Sequence, residues 1–123
     1  MILVDTSIWV DHLRSGDALL TDALERGAVH IHPFIIGELA CGLLRNRSDV
    51  LGLLKQLPTV PTATDDEALQ FIEDHRLMGR GIGYIDVHLL ASAALSGGVR
   101  LWTRDGRLAR VAADLDLDFT PSS

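Results

Sequence analysis

The sequence predicts an α/β fold of three layers, α/β/α, with helices covering both faces of a mainly parallel central sheet. Short β-branched apolar runs alternate with stretches that repeat apolar residues at helical spacing. Asp/Thr/Ser clusters, glycines and prolines mark the junctions between them. Such alternation calls for right-handed crossovers, which place successive strands parallel. No repeat, linker or low-complexity tract interrupts the 123 residues, so residues 1–123 read as one domain with a core of its own.

The elements follow in order. Residues 2–4, Ile-Leu-Val, form a short buried strand, and Asp5, Thr6 and Ser7 cap a helix that runs through Val10 and Leu13. Ser15, Gly16 and Asp17 punctuate, residues 18–25 form a second helix, and Gly27 ends it. "AVHIHP" reads as a strand closed by Pro33, and "FIIGELACGLLRN" as a helix apolar on most sides and hence buried. Residues 50–57 are helical, Val60 lies in a short strand, and a Thr/Asp cap opens a helix over 65–78. A glycine loop over 79–83 precedes the core helix "YIDVHLLASAAL", which stops at Gly97 and Gly98. "VRLWT" is a strand, "RLARVAADL" a helix and "LDFT" a last edge strand.

Composition limits the function. With 47% hydrophobic and 23% charged residues the chain is ordinary for a soluble domain, and no apolar stretch is long enough to span a membrane. No charged-then-apolar leader precedes the first strand, so a cytoplasmic protein is expected. The single cysteine, Cys41, lies in an apolar segment and is expected to pack in the core. A net charge of −6 argues against a generic polyanion binder, yet Lys55 is the only lysine among eleven basic residues. The rest are arginines, suited to forked phosphate contacts.

Most of the seventeen acids sit where water explains them, Asp65, Asp66, Glu67, Glu73 and Asp74 among them. Four interrupt apolar context: Asp5 after the first strand, Glu38 inside "FIIGELACGLL", Asp86 inside "YIDVHLLASAAL" and Asp105 after "VRLWT". Asp5 and Asp105 could be plain helix caps, Asp86 a first-turn acid favoured by the helix dipole, and Glu38 one half of a salt bridge. Topology links them, because the working crevice of a parallel sheet lies beyond the carboxyl ends of its strands. Asp5 and Asp105 stand at such ends, and Glu38 and Asp86 can enter from helices that start there. Four converging carboxylates repel one another unless a hard cation intervenes, and an oxygen-only ligand set favours Mg²⁺ or Mn²⁺. The chemistry suggested is metal-dependent phosphodiester hydrolysis.

"VDTSIWVDHLR", "FIIGELACGLL", "YIDVHLLASAAL" and "LWTRDGRL" resemble the four acidic motifs of PIN-domain nucleases, in order and spacing over residues 1 to about 110. The length is similar to that of the VapC-type toxins of bacterial toxin–antitoxin pairs. The resemblance implies a PIN fold, Mg²⁺- or Mn²⁺-dependent endoribonuclease activity, a homodimer and a cognate antitoxin. Carried over by position, Asp5, Glu38, Asp86 and Asp105 would form the catalytic and metal-binding site. Thr6, Ser7 and Thr103 match the accompanying polar positions, with Ser7 and Thr103 as the hydrogen-bonding supports of the cofactor. The C-terminal "DLDLDF" leaves open whether Asp114 or Asp116 adds a contact.

Other signals carry less. His30 and His32 form His-x-His, but no matching Cys or His pair follows for zinc. His12 and His88 read as surface or core residues, and Asp11 as solvated or paired with an arginine. The glycines of "MGRGIGY" do not form a dinucleotide fingerprint, because they precede rather than follow a strand. Trp9 and Trp102 suit a core or a dimer interface, and with the Cys41 helix they are the local basis for expecting a dimer. Arg80, Arg104, Arg107 and Arg110 are the arginines expected to meet RNA phosphates. A phosphoacceptor receiver would need a lysine near the last strand, and a haloacid-type phosphatase an acid where Ser7 stands. The remaining alternative is a catalytically inactive PIN-like module that only binds RNA or protein.

Overall fold

Ile2, Leu3 and Val4 are all buried, which only a central strand requires. In the computed structural model, which describes residues 1–121, this strand β1 (Ile2–Val4) lies between β2 (Val29–His30) and β3 (Arg100–Trp102). Both pairings are parallel, with Ile2 opposite Val29 and Val4 opposite Trp102. Single parallel bridges extend the sheet on either side, Ile31 to Thr59 and Leu101 to Asp118. The strands expected near Val60 and over "LDFT" are thus reduced to one bridge each.

Among the described residues, seven helices surround the sheet: α1 (Thr6–Ser15), α2 (Ala18–Glu25), α3 (Pro33–Ala40), α4 (Arg47–Gln56), α5 (Asp65–His75), α6 (Tyr84–Ser96) and α7 (Gly106–Asp114). A parallel sheet buried on both faces must carry helices on both, which is the three-layer arrangement expected. Helix α6 runs through the core, with every residue from Val87 to Ala93 buried. Ser92 is tolerated there because its hydroxyl accepts the Ala63 N–H at 3.1 Å. Among the described residues, no helix is long and apolar enough to cross a membrane.

Several boundaries differ from the sequence reading, each for a local reason. Helix α3 starts on Pro33 rather than after it, because His32 supplies the cap: its Nδ1 accepts the Phe34 N–H at 2.9 Å. It ends at Ala40 and does not run on to Asn46. The Arg47 guanidinium takes up the carbonyls of Ala40 and Gly42, and Asn46 turns left-handed at φ 51° before α4 begins. Cys41 therefore sits exposed at the end of α3, not in the core. Helix α5 stops at His75, where Arg76 adopts φ 54°, short of the expected Met78. Trp9 and Trp102 are 3% and 5% exposed, so both belong to the core and neither is offered to a partner. That removes the two tryptophans as a basis for a dimer interface.

Candidate active site

The carboxyl ends of β1 and β3 deliver Asp5 and Asp105 side by side. Asp5 is 8% exposed and caps α1, its Oδ1 accepting the Thr6 N–H at 2.8 Å. Its Oδ2 accepts the Thr103 hydroxyl at 2.7 Å. The same hydroxyl oxygen accepts the Asp105 N–H at 3.1 Å, so one threonine ties both strand ends together. Asp105 in turn caps α7, its Oδ1 accepting the N–H groups of Arg107 and Leu108 at 3.0 and 3.2 Å.

Two helices bring the other acids. Asp86, third residue of α6, accepts the N–H of the N-cap residue Gly83 on Oδ2 at 3.0 Å. Glu38 accepts the Thr6 hydroxyl on Oε1 at 2.8 Å. It is exposed, although its helix buries Ile35 and Leu39; the carboxylate that looked buried in sequence stands on the open side. The Ser7 side chain makes no hydrogen bond among the described residues, its buried Oγ having no partner. The hydroxyl that reaches Glu38 is that of Thr6.

The four acids act on one another. The Asp86 carboxyl is held above the ordinary carboxylate range, first by burial and then by the charges of Asp5, Asp105 and Glu38, with the Gly83 N–H opposing. No ion pair among the described residues uses any of the four, although six other acids are paired. For Glu38, Asp86 and Asp105, one carboxylate oxygen is held and the other accepts nothing from the described residues. The donor set is oxygen only, which suits a hard divalent cation. No three His, Cys, Asp or Glu side chains among the described residues close tightly enough to hold a metal ion. The four carboxylates lie near enough for the charges of Asp5, Asp105 and Glu38 to act on Asp86, with their oxygens apart.

Most of the remaining residues singled out in sequence are otherwise engaged. Arg104 pairs with Asp11 and, at 2.8 Å, with Asp17, so it is not free for phosphate. Arg80 holds Asp114 at 2.6 Å and Arg100 holds Asp116 at 3.3 Å, which turns both C-terminal acids to ion pairs outside the four. Arg107 and Arg110 are exposed and belong to no ion pair of the described residues. His12 Nδ1 accepts the Asp17 N–H at 3.0 Å. His88 is buried between the rings of Phe34 and Tyr84, with Nε2 3.1 Å from Asp65. Buried His32 is pushed down to about 4, by its surroundings first and His88 second, so it caps α3 as a neutral ring.

Comparison with known proteins bears on this crevice. The family model described as "PIN domain" matches residues 2–114. Ribonuclease VapC32 of Mycobacterium tuberculosis, from strains CDC 1551 / Oshkosh and ATCC 25618 / H37Rv, is 49% identical over 114 residues in both cases. The match covers 93% of this chain and 92% of either relative.

Proposed function

Because this chain belongs to the PIN-domain family, we propose that it is a metal-dependent endoribonuclease, the toxin of a toxin–antitoxin pair. One observation carries the reading: four acids from segments far apart in sequence face one crevice, and none is neutralised by a basic side chain. A purely structural set would cost stability for nothing, since an uncompensated half-buried carboxylate is unfavourable.

Asp5, Glu38, Asp86 and Asp105 are the residues that would hold Mg²⁺, or Mn²⁺ in its place, with Thr103 and Thr6 supporting them. The bound cation would supply charge neutralisation at the scissile phosphate and a more acidic water. The protein's own part is to fix the carboxylates. Thr103 couples Asp5 to Asp105, Thr6 holds Glu38, and the Gly83 N–H holds Asp86. Among the described residues, no Ser, Thr or Cys side chain is hydrogen-bonded to a histidine, so none of them is a histidine-activated nucleophile. Water is then the attacking group, in line with the leaving 3′-oxygen.

The partners follow from the same reading. RNA is the substrate. A cognate antitoxin would stop the crevice with an arginine-bearing segment, by forked pairing to the unpaired carboxylates. The working form is a homodimer in the cytoplasm, where RNA and antitoxin are both made. Chelator-sensitive cleavage of RNA, with mass analysis of the cut ends, tests the proposal. Cleavage that stops with chelator and leaves 5′-phosphate and 3′-hydroxyl ends is expected. A 2′,3′-cyclic phosphate would sink the mechanism, and binding without cleavage would leave an inactive RNA-binding module.

A further inference from the structure

An anionic crevice repels the strand it is to cut, so a nuclease of this kind needs a cation at its rim. Most arginines near the acids are already committed: Arg104 to Asp11 and Asp17, Arg80 to Asp114. Arg107 is not. It lies in the first turn of α7, two residues past Asp105, whose Oδ1 accepts its backbone N–H at 3.0 Å. Its exposed side chain lies over the glycine loop instead of on an acid. It crosses the glycine loop so closely that a Cβ on Gly81 would come 2.8 Å from Arg107 Cδ and 3.1 Å from Nη1. Gly81 itself has φ +81°, a conformation side chains rarely adopt. That loop ends on Gly83, whose N–H holds Asp86. The arginine thus spans from the element that carries one site acid to the loop that positions another. It keeps its guanidinium unpaired among the described residues of a chain with net charge −6.

We propose that Arg107 grips an RNA phosphate flanking the one that is cut, and that Gly81 is the gap that keeps its side chain in place. The inference rests on the ribonuclease reading and adds the residue that holds the strand. A guanidinium without an acid partner retains its full fork of donors for phosphate.

The test uses the full chain and a fluorescent, mixed-sequence single-stranded RNA, bound in an Asp86→Asn background so that the probe is not consumed. Arg107→Ala is expected to weaken binding about tenfold, the loss of one charge-assisted contact. It should also lower the salt-dependence slope by about 0.7. In the cleaving protein the same substitution should raise KM more than it lowers kcat. Arg107→Lys should restore the slope. Gly81→Ala should weaken binding when Arg107 is present and have no further effect on binding in Arg107→Ala, which a general loss of stability would not reproduce. Arg26→Ala, on α2, is the control and should leave affinity unchanged. Unaltered affinity and slope in Arg107→Ala, with the parent cutting RNA, would overturn the inference and leave the ribonuclease reading intact. So would equal losses from Gly81→Ala in both backgrounds. A parent that neither binds nor cuts RNA would remove both together.

Discussion

Thr103→Val is the sharpest perturbation of the crevice, because one hydroxyl serves two acids and the replacement keeps the β-branched shape. The side chain donates to Asp5 Oδ2 at 2.7 Å and accepts the Asp105 N–H at 3.1 Å. A hydrogen bond to a charged group contributes about 1.5–3 kcal/mol, and a neutral one about 0.5–1.5 kcal/mol. Asp5 is only 8% exposed, so water replaces the first bond poorly. The Asp105 N–H is exposed and recovers most of the second from solvent. A net loss of about 2 kcal/mol is therefore expected, a drop in Tm of roughly 5–10 °C for a chain of this size. Melts in chelator at neutral pH measure it, and Thr103→Ser should recover most of the loss. Divalent-metal affinity by titration calorimetry should fall by about 10–100-fold, since Asp5 and Asp105 lose their common tether. A Tm within about 1 °C of the parent, with metal affinity intact, would show that the threonine does not organise the site.

Two further substitutions probe charge. In Asp86→Asn the raised folded-state carboxyl disappears; such a carboxyl favours folding at low pH and loses that advantage as pH rises through its folded value. The metal-free variant should therefore be more stable than the parent near neutral pH, by an amount on the order of 1 kcal/mol, and the gain should vanish as pH falls toward the ordinary carboxylate range near 4. It should also lose most of the stabilisation of about 2.7 kcal/mol that metal at a hundredfold above Kd gives the parent; a parent-like pH profile and metal response would refute this. Arg104→Ala releases Asp11 and Asp17 and should lower stability by about 1 kcal/mol in thermal melts. RNA affinity should not change, and a clear loss of it would mean that Arg104 also meets the substrate.

The sheet and the acids were legible in sequence because each rests on a local rule. A strand buried on both faces must be apolar throughout, and Ile2–Val4 is. An acid directly after such a strand must cap, pair or bind, and Asp5 and Asp105 announce themselves that way. What stayed hidden depends on partners distant in the chain. Nothing near Arg104 shows that Asp11 and Asp17 will claim it, nor that Arg80 will claim Asp114. The end of α3 is set by Arg47 reaching back to two carbonyls, so the apolar run through Leu44 looked helical and Cys41 looked buried. Thr6 and Ser7 are neighbours of the same polar type, and only the rotation of α1 against α3 decides which hydroxyl meets Glu38.

Capping and the proposed chemistry are compatible in these acids, because the bonds that cap the helices are the ones that would hold the carboxylates for a cation. Asp5 and Asp105 cap α1 and α7, and Asp86 reaches back to the N-cap N–H of α6. An N-terminal cap fixes a carboxylate by backbone N–H groups, whose geometry follows from the helix itself and costs little conformational entropy. In Asp86 and Asp105 the cap engages one oxygen and leaves the other unclaimed by the described residues. In Asp5 the second oxygen goes to Thr103, which passes its orientation on to Asp105. The helix dipoles add positive potential where the acids crowd, offsetting part of their repulsion. Glu38 lies outside this scheme. It sits in the body of α3, exposed, with the Thr6 side chain as its one hydrogen-bond partner among the described residues. Three acids are thus held by backbone that forms with the fold, while the fourth depends on a threonine side chain.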